Sequence, residues 1–139
     1  MPSRCTPKRG DGSIVVLVAT DGPLLPIQAK AIARRAGLGL GRAGSIAANT
    51  SGDLFLALST ANRHVYGAKQ EGSFAYVPTE RIDPLFAATV EATEEAIVNA
   101  LVAAEEMTGA NGTWFPALPH EGLRAILRSH GCLAEPPLR

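Results

Sequence analysis

The sequence lacks an excess of charge of either sign, because thirteen lysine and arginine residues balance thirteen aspartate and glutamate residues. A chain with a net charge of zero shows no excess of positive charge that would indicate binding to nucleic acid or to an anionic membrane surface. The sequence also lacks an apolar run near the roughly 18–20 residues of a spanning helix, and its start lacks the apolar stretch of a signal peptide. We therefore expect no nucleic-acid or membrane partner and a cytoplasmic location.

Cysteine and histidine are scarce. Cys5 and Cys132 lie near opposite ends of the chain without CxxC spacing, which argues against a disulfide framework or a thiolate metal site. The three histidines, His64, His120 and His130, show no metal-ligand spacing and are interpreted as surface residues. The sequence therefore predicts neither a metal nor another cofactor.

The chain has the size and apolar content of one folded domain. It has 139 residues, of which 46% are hydrophobic and 19% charged, which is ordinary for a globular chain with a single core. Residues 1–12 are polar, carry two prolines and end in the turn dipeptide Asp11-Gly12. We interpret them as a flexible leader, followed by a folded portion over residues 13–139.

Two short apolar runs predict strands. Ile14–Ala19 and Leu54–Leu58 do not alternate with polar residues, which favours strands buried on both faces. Ser73–Val77 is a weaker third candidate. A sheet averages about 5–6 strands, and buried strands need neighbours on both edges. The sequence therefore predicts that another polypeptide segment completes the sheet.

Three helices are predicted from proline and glycine punctuation. The first begins at Pro26 and continues through Arg35, and the second opens at Asp83-Pro84 and runs to about Met107. The third covers Pro119–His130 and stops at Gly131. Basic residues on the first helix, including Arg42 near its end, face a stripe of glutamates on the second, which predicts that these two helices lie side by side.

The glycines of Gly39–Gly44 match the dinucleotide-binding pattern G-x-G-x-x-G. That pattern should follow a strand, open a helix and precede an acidic residue about 20 positions on. Here it ends a helical stretch, and His64 occupies the position where the acid is expected. We therefore interpret these glycines as a helix end that needs close backbone approach.

Serines offer the remaining chemistry. Taken alone, Ser13 is most often a turn residue before a strand, and Ser51-Gly52-Asp53 a loop entering one. A serine after a glycine can, however, attack the preceding carbonyl, because Gly12 has no Cβ to obstruct the approach. The spacing of Ser51 and Asp53 places both side chains on the same side of an extended segment.

Several stretches resemble the L-aminopeptidase/D-esterase family, which includes the β-peptidyl aminopeptidases. The resemblance extends over nearly everything after Lys8. The matching stretches are GDGSIVVLVATD at 10–21, PLLP at 23–26, ARRAGLG at 33–39, SGDLFLA at 51–57, STAN at 59–62, DPLF at 83–86, ATEEA at 92–96, NAL at 99–101 and PALPH at 116–120.

The resemblance implies a fold and a maturation step. Members of the family are made as one precursor that cuts itself at a Gly-Ser bond into an α and a β chain. Gly12-Ser13 matches that bond, so that Ser13 would open the β chain. The implied fold is α/β, a four-layer αββα sandwich of N-terminal-nucleophile-like architecture, of which this chain would supply the β-chain half with incomplete sheets.

The resemblance also implies roles for three side chains. Ser13 would be the nucleophile for self-cleavage and for acylation by a small peptide, amino-acid amide or ester. Ser51 and Asp53 would form a hydrogen-bonded relay to it. The base that accepts the proton of Ser13 is either a free α-amine or this relay.

Two interpretations remain at this point. In the first, the chain is a serine hydrolase subunit that removes N-terminal residues within a homo- or hetero-oligomer. In the second, it is an orphaned β portion that does not catalyse by itself and acts only when paired with a separate α chain. No residues for an oxyanion hole or for binding the substrate amine can be named from the sequence.

Overall fold

The computed structural model describes residues 12–65 and 67–133. The predicted leader apart from Gly12, together with Cys5, lies outside the described residues. The described chain forms two compact units, residues 12–98 and residues 99–133. Every described residue of the buried hydrophobic core belongs to the first unit: Leu24, Ile32, Ala33, Ala36, Ile82 and Val90.

The first unit is built on a βαβ element. Strand β1, Val15–Thr20, and strand β2, Leu54–Ser59, pair in parallel, and helix α1, Pro26–Arg42, connects them. Pro26 occupies the first turn of α1, as predicted, and Gln28 closes that turn by accepting the N–H of Leu25 at 3.0 Å. Both predicted strands and the first helix are confirmed, and α1 continues beyond Arg35 through its glycines to Arg42.

Only one face of the β1–β2 pair is covered. Helix α1 packs against the side that carries Val16, Val18 and Phe55. This chain therefore covers one of the two faces that were predicted to be buried, and cover of the other face by another polypeptide segment stays a prediction. The other face is apolar along its whole length and open to solvent; we call it the open sheet face, and its residues are Val15, Leu17, Ala19, Leu54, Leu56 and Leu58.

Helix α2 spans Asp83–Ala103. The residues of α2 that lie in the first unit cross close to α1. A Cβ added at Gly39 would lie 2.5 Å from the carbonyl oxygen of Val90 and 2.7 Å from Cβ of Thr93. The predicted charge pairing is confirmed by a 3.5 Å contact between Arg42 and Glu94. The interpretation of these glycines as a place of close backbone approach is confirmed at Gly39.

The segment Ser73–Val77 is not a strand, contrary to the weak prediction. It is held in place largely by side-chain amides, since Asn62 bonds both the N–H and the carbonyl of Ala75 at 3.0 and 3.1 Å. The buried amide of Gln28 donates to the carbonyl of Val77 at 2.6 Å. Short 3₁₀ turns flank the segment at Arg63–Val65 and Thr79–Arg81.

The second unit departs from the sequence prediction at its start. Helix α2 ends at Ala103, four residues before the predicted Met107, because Met107 pairs with Phe115 in a short antiparallel ladder. The strands of this ladder are β3, Met107–Thr108, and β4, Trp114–Phe115, with a 3₁₀ turn at Ala110–Gly112 between them. Helix α3, His120–Ser129, confirms the third predicted helix.

Candidate functional site

The amino-terminal ends of the two parallel strands bring the three predicted site residues together. Ser13 precedes β1 by two residues, and Ser51 and Asp53 precede β2. The register that pairs Val15 with Leu54 places the segments before β1 and β2 side by side. The N–H of Leu54 donates to the carbonyl of Ile14 at 2.9 Å. All three side chains line one open cavity of about 530 Å³.

A single carboxylate oxygen of Asp53 bonds both of the segments that precede β1 and β2. Oδ1 of Asp53 accepts the hydroxyl of Ser51 at 2.6 Å and the backbone N–H of Ile14 at 3.0 Å. Ile14 is the residue after Ser13, so this second bond fixes the backbone that carries Ser13. Asp53 is half-buried, and charge-assisted bonds of this kind are about twice as strong as neutral ones.

Ser13 is held by a backbone donor. Its Oγ accepts the N–H of Gly52 at 2.9 Å. A Cβ added at Gly52 would lie 3.5 Å from the same oxygen, so the backbone at residue 52 lies directly against the hydroxyl of Ser13. The side chain of Ser13 thus lies on an exposed rim of the cavity with one N–H directed at its oxygen.

Of the three residues of the expected relay, Ser51 and Asp53 are joined to each other by a direct side-chain hydrogen bond. Ser51 donates its proton to Asp53, which leaves lone pairs of the Ser51 oxygen free to accept. Within the described residues, no hydrogen bond joins the hydroxyls of Ser13 and Ser51. Ser13 is instead joined to the Ser51–Asp53 pair through the N–H of the intervening Gly52.

A loop at the end of α1 supplies the rest of the cavity wall. We call Gly44–Ser51 the pocket loop, and its residues Ser45, Ile46 and Ala48 line the cavity together with Leu40 of α1. Small residues before Ser51 were the available signal for a loop, but its place in the cavity wall was not predicted. The donor at Gly52 was not predicted either, because residue type does not reveal where a backbone N–H is directed.

His64 does not line this cavity, and His120 and His130 belong to the second unit. His64 bonds the carbonyl of Ser73 and His120 that of Val102, both through Nε2, and all three histidines are exposed. In the part of the chain that is described, no group of three or more histidine, cysteine, aspartate or glutamate side chains could hold a metal ion. Among the same residues, no helix has the length and apolar character to cross a membrane.

The position of the cavity separates this chain from nucleotide-binding α/β proteins. Open parallel sheets bind ligands beyond the carboxyl ends of their strands, whereas here the polar cluster lies at the amino ends. Two hydroxyls, one carboxylate and a backbone donor form a set typical of nucleophilic hydrolases. The fold and site thus define a mixed α/β chain with a serine-containing site at the amino-terminal edge of its sheet.

The chain belongs to Peptidase family S58, whose sequence profile matches residues 2–115. It is 48% identical over 126 residues to the beta-peptidyl aminopeptidase BapA of Sphingosinicella microcystinivorans, a match that covers 90% of this chain and 32% of that protein. The resemblance drawn from the sequence is therefore confirmed.

Solved structures agree with this assignment. The L-aminopeptidase D-Ala-esterase/amidase of Ochrobactrum anthropi, described as a prototype serine aminopeptidase and a variant among the Ntn hydrolase fold, superposes with a TM-score of 0.78 and 44% identity. That match covers 88% of this chain and 35% of the other. The PH0078 protein of Pyrococcus horikoshii OT3 gives a TM-score of 0.80 and 45% identity, with coverages of 88% and 35%.

These similarities confirm the α/β class and agree with the expected Ntn-type architecture. The chain spans about a third of the length of each of these proteins. The four-layer sandwich stays a prediction, because β1 and β2 form a single two-stranded layer in the first unit.

Proposed function

We propose that this chain carries the nucleophile of a self-processing serine aminopeptidase and that Ser13 is that nucleophile. The observation that supports the proposal most strongly is the placement of Ser13 Oγ against the N–H of Gly52, beside the bonded pair of Ser51 and Asp53. The family and its aminopeptidase relatives support the same class of reaction.

The first step of the proposed activity is cleavage of the chain itself. The hydroxyl oxygen of Ser13 attacks the carbonyl carbon of Gly12, the Gly12–Ser13 amide bond breaks, and an ester forms while the proton passes to the released nitrogen. Water then hydrolyses the ester, leaving a carboxylate on Gly12 and a free α-amine on Ser13. In this way residues 1–12 are separated from residues 13–139.

The second step is turnover of a small peptide, amino-acid amide or ester. Ser13 Oγ attacks the carbonyl of the substrate's N-terminal residue and forms an acyl-enzyme, and the amine or alcohol leaves with a proton. Water releases the acylated residue and restores the hydroxyl. The N–H of Gly52 donates to the oxygen of Ser13 and so holds the nucleophile in place at the cavity.

The proposed proton acceptor differs before and after cleavage. Before cleavage the nitrogen of Ser13 belongs to an amide and has no basic lone pair, so the first step draws on the Ser51–Asp53 pair. The oxygen of Ser51 has free acceptor capacity, because its own proton is directed at Asp53. After cleavage the α-amine of Ser13 becomes a second acceptor for substrate turnover.

The proposed enzyme includes a further polypeptide segment. The open sheet face exposes 74% of Val15, 58% of Leu17 and 62% of Leu56, and such a face is normally covered in a parallel α/β sheet. An α segment, in the same gene product or in a separate chain, would cover this face and complete the substrate site within an oligomer. The alternative is an orphaned β portion with the same open face, which does not catalyse by itself and acts only when paired with a separate α chain.

Substitution of Ser13 tests the proposal. In the completed enzyme we expect Ser13→Ala to abolish both cleavage at Gly12-Ser13 and hydrolysis of an aminoacyl p-nitroanilide. Ser73→Ala, at an exposed serine far along the chain, is the matched control and should retain both activities. Undiminished hydrolysis by the Ser13→Ala variant would rule out Ser13 as the nucleophile.

A further inference from the structure

A series of local hydrogen bonds fixes the backbone of the pocket loop between the end of α1 and Ser51. Helix α1 ends in a Schellman motif, in which Gly44, with a φ of +98°, donates to Gly41 at 3.0 Å and Ser45 donates to Leu40 at 3.2 Å. The hydroxyl of Ser45 then accepts the N–H of Ala47 at 3.1 Å. Finally, the N–H of Ser51 donates to Ala48 at 2.7 Å and delivers Ser51 beside Asp53.

Ala47 adopts an unusual backbone conformation within this series. Its φ is +48°, and among the described residues it is the one residue other than glycine with a positive φ. An L-residue with a Cβ is disfavoured in this left-handed region, and such strain persists only where the surroundings impose it. The side chain of Ala47 is exposed, so packing of its methyl group does not account for the conformation.

The neighbours of Ala47 show what the left-handed turn achieves. Ile46 and Ala48, on either side of it, both line the cavity that contains Ser13. A change of φ at residue 47 would redirect the chain on its way to Ser51. That shift would move the Ser51 hydroxyl away from Asp53 and the Gly52 N–H away from Ser13 Oγ, since these residues follow within five positions.

We infer that Ala47 is a positioning residue for the candidate site: its left-handed turn holds the pocket loop in the course that aligns Ser51 with Asp53 and Gly52 with Ser13. The inference rests on the proposed function for its kinetic consequence. Its structural consequence, the placement of the Gly52 and Ile14 amides, can be measured without any activity.

Three variants test the inference. Ala47→Val introduces a β-branched side chain that cannot adopt a positive φ without strain, whereas Ala47→Asn introduces one that tolerates it. Ala61→Val is the matched control, because the N–H of Ala61 also donates to a serine hydroxyl two residues earlier, that of Ser59 at 3.2 Å. Ala61 has no positive φ and does not line the cavity.

The readouts are steady-state kinetics of the completed enzyme and amide hydrogen exchange of the full chain. We expect Ala47→Val to lower kcat roughly tenfold to a hundredfold with KM little changed, because misplaced catalytic groups cost rate rather than binding. Exchange at the Gly52 and Ile14 amides should accelerate relative to the amides of β2. Ala47→Asn and Ala61→Val should match the unsubstituted protein in both measurements.

The inference is wrong if Ala47→Val behaves like Ala61→Val in amide exchange at Gly52 and Ile14. If the unsubstituted enzyme hydrolyses no amide or ester at all, the proposed function fails. In that case the exchange data alone decide whether Ala47 positions the loop.

Discussion

One carboxylate oxygen of Asp53 bonds both segments that lead into β1 and β2. Substitutions of Asp53 can therefore test its structural role and its chemical role separately. We expect Asp53→Ala to lower the free energy of unfolding by about 1–2 kcal/mol, because the N–H of Ile14 and the hydroxyl of Ser51 lose a charged acceptor. Asp53→Asn retains an acceptor oxygen and should be less destabilising. Denaturant unfolding monitored by circular dichroism measures both effects.

The two Asp53 variants should nevertheless share a loss of activity. Without a carboxylate the proton of Ser51 has no anionic acceptor, and removal of a general base typically lowers kcat about a hundredfold or more. Asp21→Asn, an exposed aspartate at the other end of β1, is the control and should leave kcat unchanged. Full kcat in the Asp53→Asn variant would show that the carboxylate takes no part in the reaction.

At the same scale, the residue types that carry the candidate site were predictable only through resemblance. Composition alone leaves Ser13 as a turn residue, and nothing in the residue pattern distinguishes Ser51-Gly52-Asp53 from an ordinary loop. The N–H of Gly52 and the left-handed turn at Ala47 are backbone properties. A sequence does not display them, because they depend on the course of the whole pocket loop.

The crossing of α1 and α2 provides a test at the scale of elements. Gly39→Ala would place a methyl group 2.5 Å from the carbonyl oxygen of Val90, and overpacking of this kind costs about 1–3 kcal/mol. Gly41→Ala, in the last turn of the same helix, meets nothing within 4 Å and should stabilise the protein by about 0.5–1 kcal/mol. Equal effects of the two substitutions on urea unfolding would contradict the close crossing.

Helices and strands were predicted correctly where residues close in sequence determine them. Continuous apolar runs predicted β1 and β2, and Pro26, Pro84 and Gly131 correctly placed helix ends. The errors arose where distant partners decide. Side-chain amides from Asn62 and Gln28 hold Ser73–Val77 without a strand ladder, and the pairing of Met107 with Phe115 ends α2 early.

The open sheet face matters at the scale of the whole molecule. If another segment covers it, a charge at its centre should block assembly without unfolding the βαβ element. We expect Leu56→Lys to prevent association with the α segment, measured by co-purification, and to abolish hydrolysis, since a buried unpaired charge is strongly unfavourable. Ile126→Lys, at an exposed apolar residue of α3, is the control and should assemble normally.

Assembly of the Leu56→Lys variant with normal affinity would show that the open sheet face is not the contact. The sequence predicted that another polypeptide segment completes the sheet, because two apolar strands cannot form a complete sheet, and this stays a prediction. It did not predict which face is covered by α1, since an unalternating apolar run is the same on both sides. The parallel register and the position of α1 supply that information.

The most direct test of Ser13 as a self-generated N-terminal nucleophile is the N-terminal sequence, by mass spectrometry, of the chain in a catalytically active preparation. We expect the active polypeptide to begin at Ser13, with residues 1–12 cut from it and Gly12 ending the released segment in a free carboxylate. An active enzyme in which the Gly12–Ser13 peptide bond remains intact would contradict the proposal.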